Sequence, residues 1–181
     1  MVVKKDTSLN RSIARNPYAP LDISPIDISY FPADYPLQKM TGATNRLPVA
    51  RIIYGRPHRQ GRKIFGELLK FGEPWRMGAN EATELELFQA VTIQGKTIPR
   101  GRYILYCIIN EDSWTINFNS NLFSWGLKPD TAKNLYTFQA PVVHANQSIE
   151  YFTIVFEKAS ENAANLLVTW DDVIVRLPMK F

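Results

Sequence analysis

VTIQGKTIPRGRYILYCIINEDSWTINF, residues 91 to 118, decides the fold. Gln94-Gly95-Lys96 reads as a tight turn between two short apolar runs, Val91-Thr92-Ile93 and Thr97-Ile98. Pro99-Arg100-Gly101 then turns the chain into Arg102–Ile109, and Asn110-Glu111-Asp112-Ser113 forms a loop before Trp114-Thr115-Ile116-Asn117-Phe118. In that last run Trp114, Ile116 and Phe118 share one face, because side chains alternate across a strand.

The same rhythm extends in both directions. Val49–Tyr54 is short, β-branched and apolar, and Glu84-Leu85-Glu86-Leu87 alternates as a half-buried strand does. Leu135–Val143, Ile149–Glu157, Ala164–Trp170 and Val173–Leu177 are further strand candidates. Short strands at close spacing, with no long helical period, predict an all-β fold: a single antiparallel β-sandwich or jelly-roll-like domain over residues 49–181. Gly61–Gly78 is the least strand-like segment and leaves room for one short helix.

Residues 1–48 differ. They hold six of the twelve prolines, at 17, 20, 25, 32, 36 and 48, and show no sustained apolar period. Each proline fixes its own φ and restricts the residue before it, so Ser29–Pro36 is expected to be extended or polyproline-like. The aromatic residues there argue against a free tail. The expectation is a proline-rich N-terminal arm lying across the domain, or across a second copy in a homodimer.

Composition bounds the rest. Of 181 residues, 45% are hydrophobic, which marks a globular chain. The apolar run Tyr103–Ile109 is far shorter than the roughly 20 residues a membrane span needs, so no span is expected. MVVKKDTSLNR lacks the apolar core of a signal peptide, which predicts a cytoplasmic protein, or a periplasmic or exported one if a leader has been trimmed. Cys107 is the sole cysteine, which excludes an internal disulfide and a multi-thiolate zinc site, and its apolar run makes it a small core hydrophobe. From Arg46 to Arg102 there are eight Arg and three Lys against five Glu, a local balance of +6 in a chain of net +4. Such a concentration suits a small anionic partner or a solvated face with internal ion pairs; no reading motif for nucleic acid accompanies it.

EPWRMGANEATELELF, residues 73–88, sets Trp75 and Arg76 beside Gly78-Ala79, then Asn80 and Glu81. With Tyr54-Gly55-Arg56-Pro57, Gly61-Arg62-Lys63-Ile64-Phe65-Gly66, Gly95-Lys96, Pro99-Arg100-Gly101-Arg102-Tyr103, Trp114-Thr115-Ile116, Trp125-Gly126, Glu150-Tyr151-Phe152 and Trp170, this stretch resembles a bacterial family known as domain-of-unknown-function family 2911. The resemblance spans about residues 48–178 and implies no particular reaction or ligand. Many members look secreted or lipid-anchored, a signal this chain does not show.

The motifs around that stretch contribute Arg56, Arg62, Trp75, Arg76, Asn80 and Glu81. A guanidinium grips a carboxylate or phosphate and also stacks on an aromatic plane, which Trp75 offers. Gly78 allows a positive φ that lets backbone N–H groups converge on an anion. Asn80 would orient the ligand, and Glu81 is the candidate acid or base. The competing reading makes the same stretch a corner brace, with Arg76 paired to Glu81 or Glu84 and Trp75 as a core plug. Trp125 is a second aromatic platform or a loop anchor, while Trp114 and Trp170 read as core.

Standard catalytic and cofactor signatures are missing: there is no nucleophile elbow, Walker loop or dinucleotide fingerprint, and no cofactor is implied. His58 and His144 lack metal-ligand spacing, so no metal is expected. Glu84 and Glu86 share a strand face, as a glycosidase pair can and as surface strands commonly do. Three functions stay open: a module binding a small polar or anionic ligand such as a carbohydrate, a hydrolase using Glu81, and an interaction module docking through its arm.

Overall fold

A computed structural model describes residues 21–181. The part of the proline-rich arm before Leu21, with Pro17 and Pro20, lies outside the described residues. The strands are β1 (Ile26–Phe31), β2 (Ala50–Gly55), β3 (Pro74–Trp75), β4 (Thr83–Leu87), β5 (Val91–Ile93), β6 (Lys96–Ile98), β7 (Gly101–Ile109), β8 (Ser113–Asn119), β9 (Asn134–Ser160) and β10 (Ala163–Lys180). They form one all-antiparallel sheet in the order β1-β2-β4-β7-β8-β9-β10-β5-β6, with β3 occupying the stretch of β7 beyond β4. The sheet folds over on itself without closing, an arrangement compatible with a sandwich.

The fold-over depends on β9, which is 27 residues long. Its first part, to Pro141, pairs with β8; the rest, from Val142, pairs with β10. Both halves of the molecule therefore share this strand. The sequence pattern splits it into two candidates, and splits β10 likewise, because the breaks carry polar residues. Those breaks are β-bulges near Asp171, not turns, so the chain bends without reversing.

Alternation fills the core as expected. In β4, Leu85 and Leu87 point inward, while Glu84 pairs outward with Arg102 of β7 and Glu86 with Arg51 of β2. Both carboxylates are thus engaged in cross-strand ion pairs. Trp114, Trp170, Phe118, Phe138 and Phe152 are buried in the core, and Cys107 packs among them in β7. The β5–β6 hairpin turns through Gln94 and Gly95, both at positive φ (48° and 76°), the left-handed pair that suits a two-residue hairpin loop.

Two local expectations change. Gly61–Gly78 contains no helix, because Gly66 sits mid-segment at φ +84°, outside the helical region; a bridge from Phe65 to Leu69 stands there instead. The helix lies in the proline-rich segment, α1 (Tyr35–Met40), where Pro36 falls in the first turn and forfeits no helical hydrogen bond. Just before it, residues 26–31 are a true strand, with β1 paired along β2 from Ile26↔Gly55 to Phe31↔Ala50. Its outer edge approaches β9: Ser29 Oγ donates to the Ile154 carbonyl at 2.7 Å, and Phe31 stacks on Phe181 with centroids 4.6 Å apart. Among the described residues no helix is long and apolar enough to cross a membrane.

Candidate functional site

Beyond Gly55 the chain leaves β2 and zips against β9. Phe152 N donates to the Pro57 carbonyl and Arg59 N to the Glu150 carbonyl, while Gln60 N reaches Glu150 Oε1 at 2.8 Å. His58 packs edge-on to Tyr151, centroids 4.3 Å apart. Arg59 Nε lies 2.9 Å from Asp171 Oδ1, an ion pair without hydrogen-bond alignment. Arg62 then folds back on this loop, donating from Nε to the Arg59 carbonyl (2.9 Å) and from Nη2 to the His58 carbonyl (2.5 Å). Two carbonyl dipoles hold its guanidinium at the surface.

The Trp75–Thr83 corner is built by close packing. A Cβ on Gly78 would lie 2.8 Å from the Gly55 carbonyl oxygen, and one on Gly55 would lie 1.9 Å from that of Ala79. The reason for glycine at 78 is therefore backbone contact with β2. Trp75 is a core plug: 9% exposed, stacked on Trp170 at 5.9 Å, and edge-on to Trp114 and Phe152. Its Nε1 donates to the Gly78 carbonyl at 3.2 Å. Buried Thr83 donates from Oγ1 to the Met77 carbonyl at 2.6 Å. Met77 and Asn80 adopt positive φ (55° and 61°), a conformation that costs a non-glycine residue about 1 kcal/mol or more.

The ion pair expected to brace this corner does not form. Glu84 is taken by Arg102, and among the described residues Arg76 has no carboxylate within ion-pair distance. Arg76 is half-buried and donates from Nη1 to the Trp125 carbonyl at 3.3 Å. Burial lowers its pKa, with the charge of Glu81 opposing that shift. Glu81 itself is exposed, beside a shallow depression shared with Tyr54, Gly55 and Ala82.

Arg62, Arg76 and Trp75 meet in one cleft of about 400 Å³. It lies between the 57–62 loop, the 68–79 segment, Ile23-Ser24 and Gly126-Leu127, with Trp170 beside Trp75 at its floor. Asn80 sits at its edge: its Nδ2 donates to Asp22 Oδ2 (2.8 Å) and to the Ser24 carbonyl (3.1 Å), which straps the 22–24 segment into place. Gly126 presses on the corner so closely that a Cβ there would lie 3.0 Å from Arg76 Cβ. Trp125, next to it, is 54% exposed and contributes its carbonyl to Arg76. Arg56 lies elsewhere. It pairs with Asp27 at 3.0 Å and donates to the Phe152 carbonyl and Thr153 Oγ1, which joins β1 and β2 to β9.

Sequence reasoning missed Ile23, Leu68 and Leu127, which line the cleft and are 74%, 45% and 67% exposed. The available signal was weak: large apolar residues in segments with no strand period. Among the described residues no group of three or more His, Cys, Asp or Glu is placed to hold a metal.

A folded-over antiparallel sheet, bearing a cationic cleft over two packed tryptophans, is the class that fold and site define. The chain belongs to the family described as a protein of unknown function, DUF2911, whose model matches residues 36–179. The match runs from Pro36 in α1 to Met179 in β10 and takes in β2 to β9 whole. No curated protein and no solved structure matches the chain.

Proposed function

We propose that this protein is a binding module for a small polar or anionic ligand, held in the cleft by Arg62 and Arg76. The observation that carries the reading is that two guanidinium groups line one cleft with no carboxylate partner among the described residues. Of the seven other arginines among the described residues, Arg51, Arg56, Arg59, Arg102 and Arg176 each face a carboxylate, while the exposed Arg46 and Arg100 do not. An incoming carboxylate or phosphate would complete the pairing, and charge-assisted bonds of this kind are the strong ones. Arg76 gains most, because it is partly desolvated.

The test is a thermal-shift panel of phosphate, sulfate, small carboxylates and sugar acids on the wild type, Arg62→Gln and Arg76→Gln. A ligand at a hundred times its Kd stabilises by about 2.7 kcal/mol, which raises Tm by roughly 5 °C or more in a chain of this size. The expected result is a rise with at least one anion that both variants lose. No rise across the panel overturns the reading.

A further inference from the structure

Three large apolar side chains, Ile23, Leu68 and Leu127, line the same cleft as the two arginines and stay largely open to water. A cleft made only for an inorganic anion has no use for them. A sugar is poorly matched as well, since the tryptophans lining the cleft, Trp75 and Trp170, are 9% and 2% exposed, and the open indole of Trp125 is not part of the lining. We infer, building on the anion-binding reading above, that the ligand is a small amphipathic anion: a carboxylate or phosphate head on Arg62 and Arg76, carrying an apolar body that covers Ile23, Leu68 and Leu127. The volume of about 400 Å³ lies within the usual range for small-molecule sites, and such sites are mostly apolar with a few placed polar groups.

The apolar wall has a structural source of its own. Ile23 belongs to the 22–24 segment that Asn80 straps to the corner, and Leu127 follows Gly126, which is wedged against Arg76. Both side chains are therefore carried by segments anchored to the same corner as one of the cations. Apolar surface and charge are presented together, at a cost in exposed hydrophobic area that a bound apolar body would offset.

A chain-length series separates this inference from the one beneath it. Acetate, butanoate, hexanoate and octanoate are titrated into the full chain, with inorganic phosphate as the head-only probe, and followed by backbone amide chemical shifts. The expected result is an affinity that rises roughly two- to fourfold per added methylene. Ile23→Ser and Leu127→Ser, which alter exposed side chains and leave the core intact, should flatten that rise without changing acetate binding. Arg62→Gln and Arg76→Gln should weaken every member by a common factor. A flat series with phosphate and acetate still bound overturns the amphipathic ligand and spares the anion site. A rise that Ile23→Ser and Leu127→Ser leave untouched overturns the placement of the apolar body. No binding by any probe overturns both readings together.

Discussion

Gly55 and Gly78 bring two backbones into direct contact: a Cβ on Gly78 would sit 2.8 Å from the Gly55 carbonyl oxygen. The cleft exists because of this crossing, which lays the Arg76 corner on the end of β2. Gly55→Ala, whose Cβ would meet the Ala79 carbonyl at 1.9 Å, should destabilise by about 3 kcal/mol or more. Gly61→Ala is the control: φ is +72° but nothing lies within 4 Å, so about 1 kcal/mol is expected. Urea unfolding of the two variants gives both numbers; Gly55 has no positive φ, so a loss no larger than the control's would mean that the crossing gives way to a Cβ at little cost.

Arg56 should prove to be a residue of the seam. It links Asp27 to the Phe152 carbonyl and Thr153 Oγ1, with both ion-pair partners more than a third exposed. Arg56→Gln is expected to cost about 1 kcal/mol in urea unfolding and to leave anion affinity unchanged. A large loss of affinity at unchanged stability would return Arg56 to the site.

Asn80 offers the opposite split. Asn80→Gly keeps a backbone at ease with φ +61° and removes both bonds to the 22–24 strap. Tm should move by only a degree or two, while anion affinity falls severalfold as one wall of the cleft loosens. An unchanged affinity would show that the strap plays no part.

The acid limb of stability should contain Glu157. Its carboxyl is held below the ordinary value, chiefly by the Arg176 hydrogen bond and then by that of Asn165. A depressed folded pKa gives stability that is present above the unfolded value and is lost as pH falls through the folded one. Denaturant midpoints measured from pH 7 down to pH 3 should therefore fall less for Glu157→Gln than for wild type. The difference should stay below about 1 kcal/mol, because the pair is well exposed.

Cys107 is fully buried, and burial raises its thiol pKa well above the ordinary value. It should resist a disulfide reagent such as dithionitrobenzoate in the native state and react at the rate of unfolding once urea is added. Rapid labelling without denaturant would contradict the packing of β7.

Much of the fold was legible because alternation is a local property. Leu85 and Leu87 face in while Glu84 and Glu86 face out, and Gln94-Gly95 turns a hairpin, as the residues themselves dictate. Long-range pairing was not legible. Nothing local in Ile26–Phe31, set among prolines, announces that it will lie along β2, and the polar bulges at Asp171 imitate the turns that would end a strand. At the site, Arg62, Trp75 and Arg76 converge as an arginine–tryptophan cluster should, but Arg56 is drawn to Asp27, a partner 29 residues away that only the β1–β2 pairing supplies. The apolar wall escaped notice because an isolated Ile or Leu in a loop looks like any other exposed side chain.

The bond from Ser29 to Ile154 joins residues 125 positions apart, and it ties the first described strand to the last third of the chain. On a ribosome, β1 would have no β9 to meet until the 125 positions from Ser29 to Ile154 had been made. The seam is then among the late parts of the architecture to form, together with the pairing of β10 on β5, after large loops have closed, and folding should be correspondingly slow. Because Trp170 of β10 lies at the floor of the cleft, the cleft too would be completed only at that late stage.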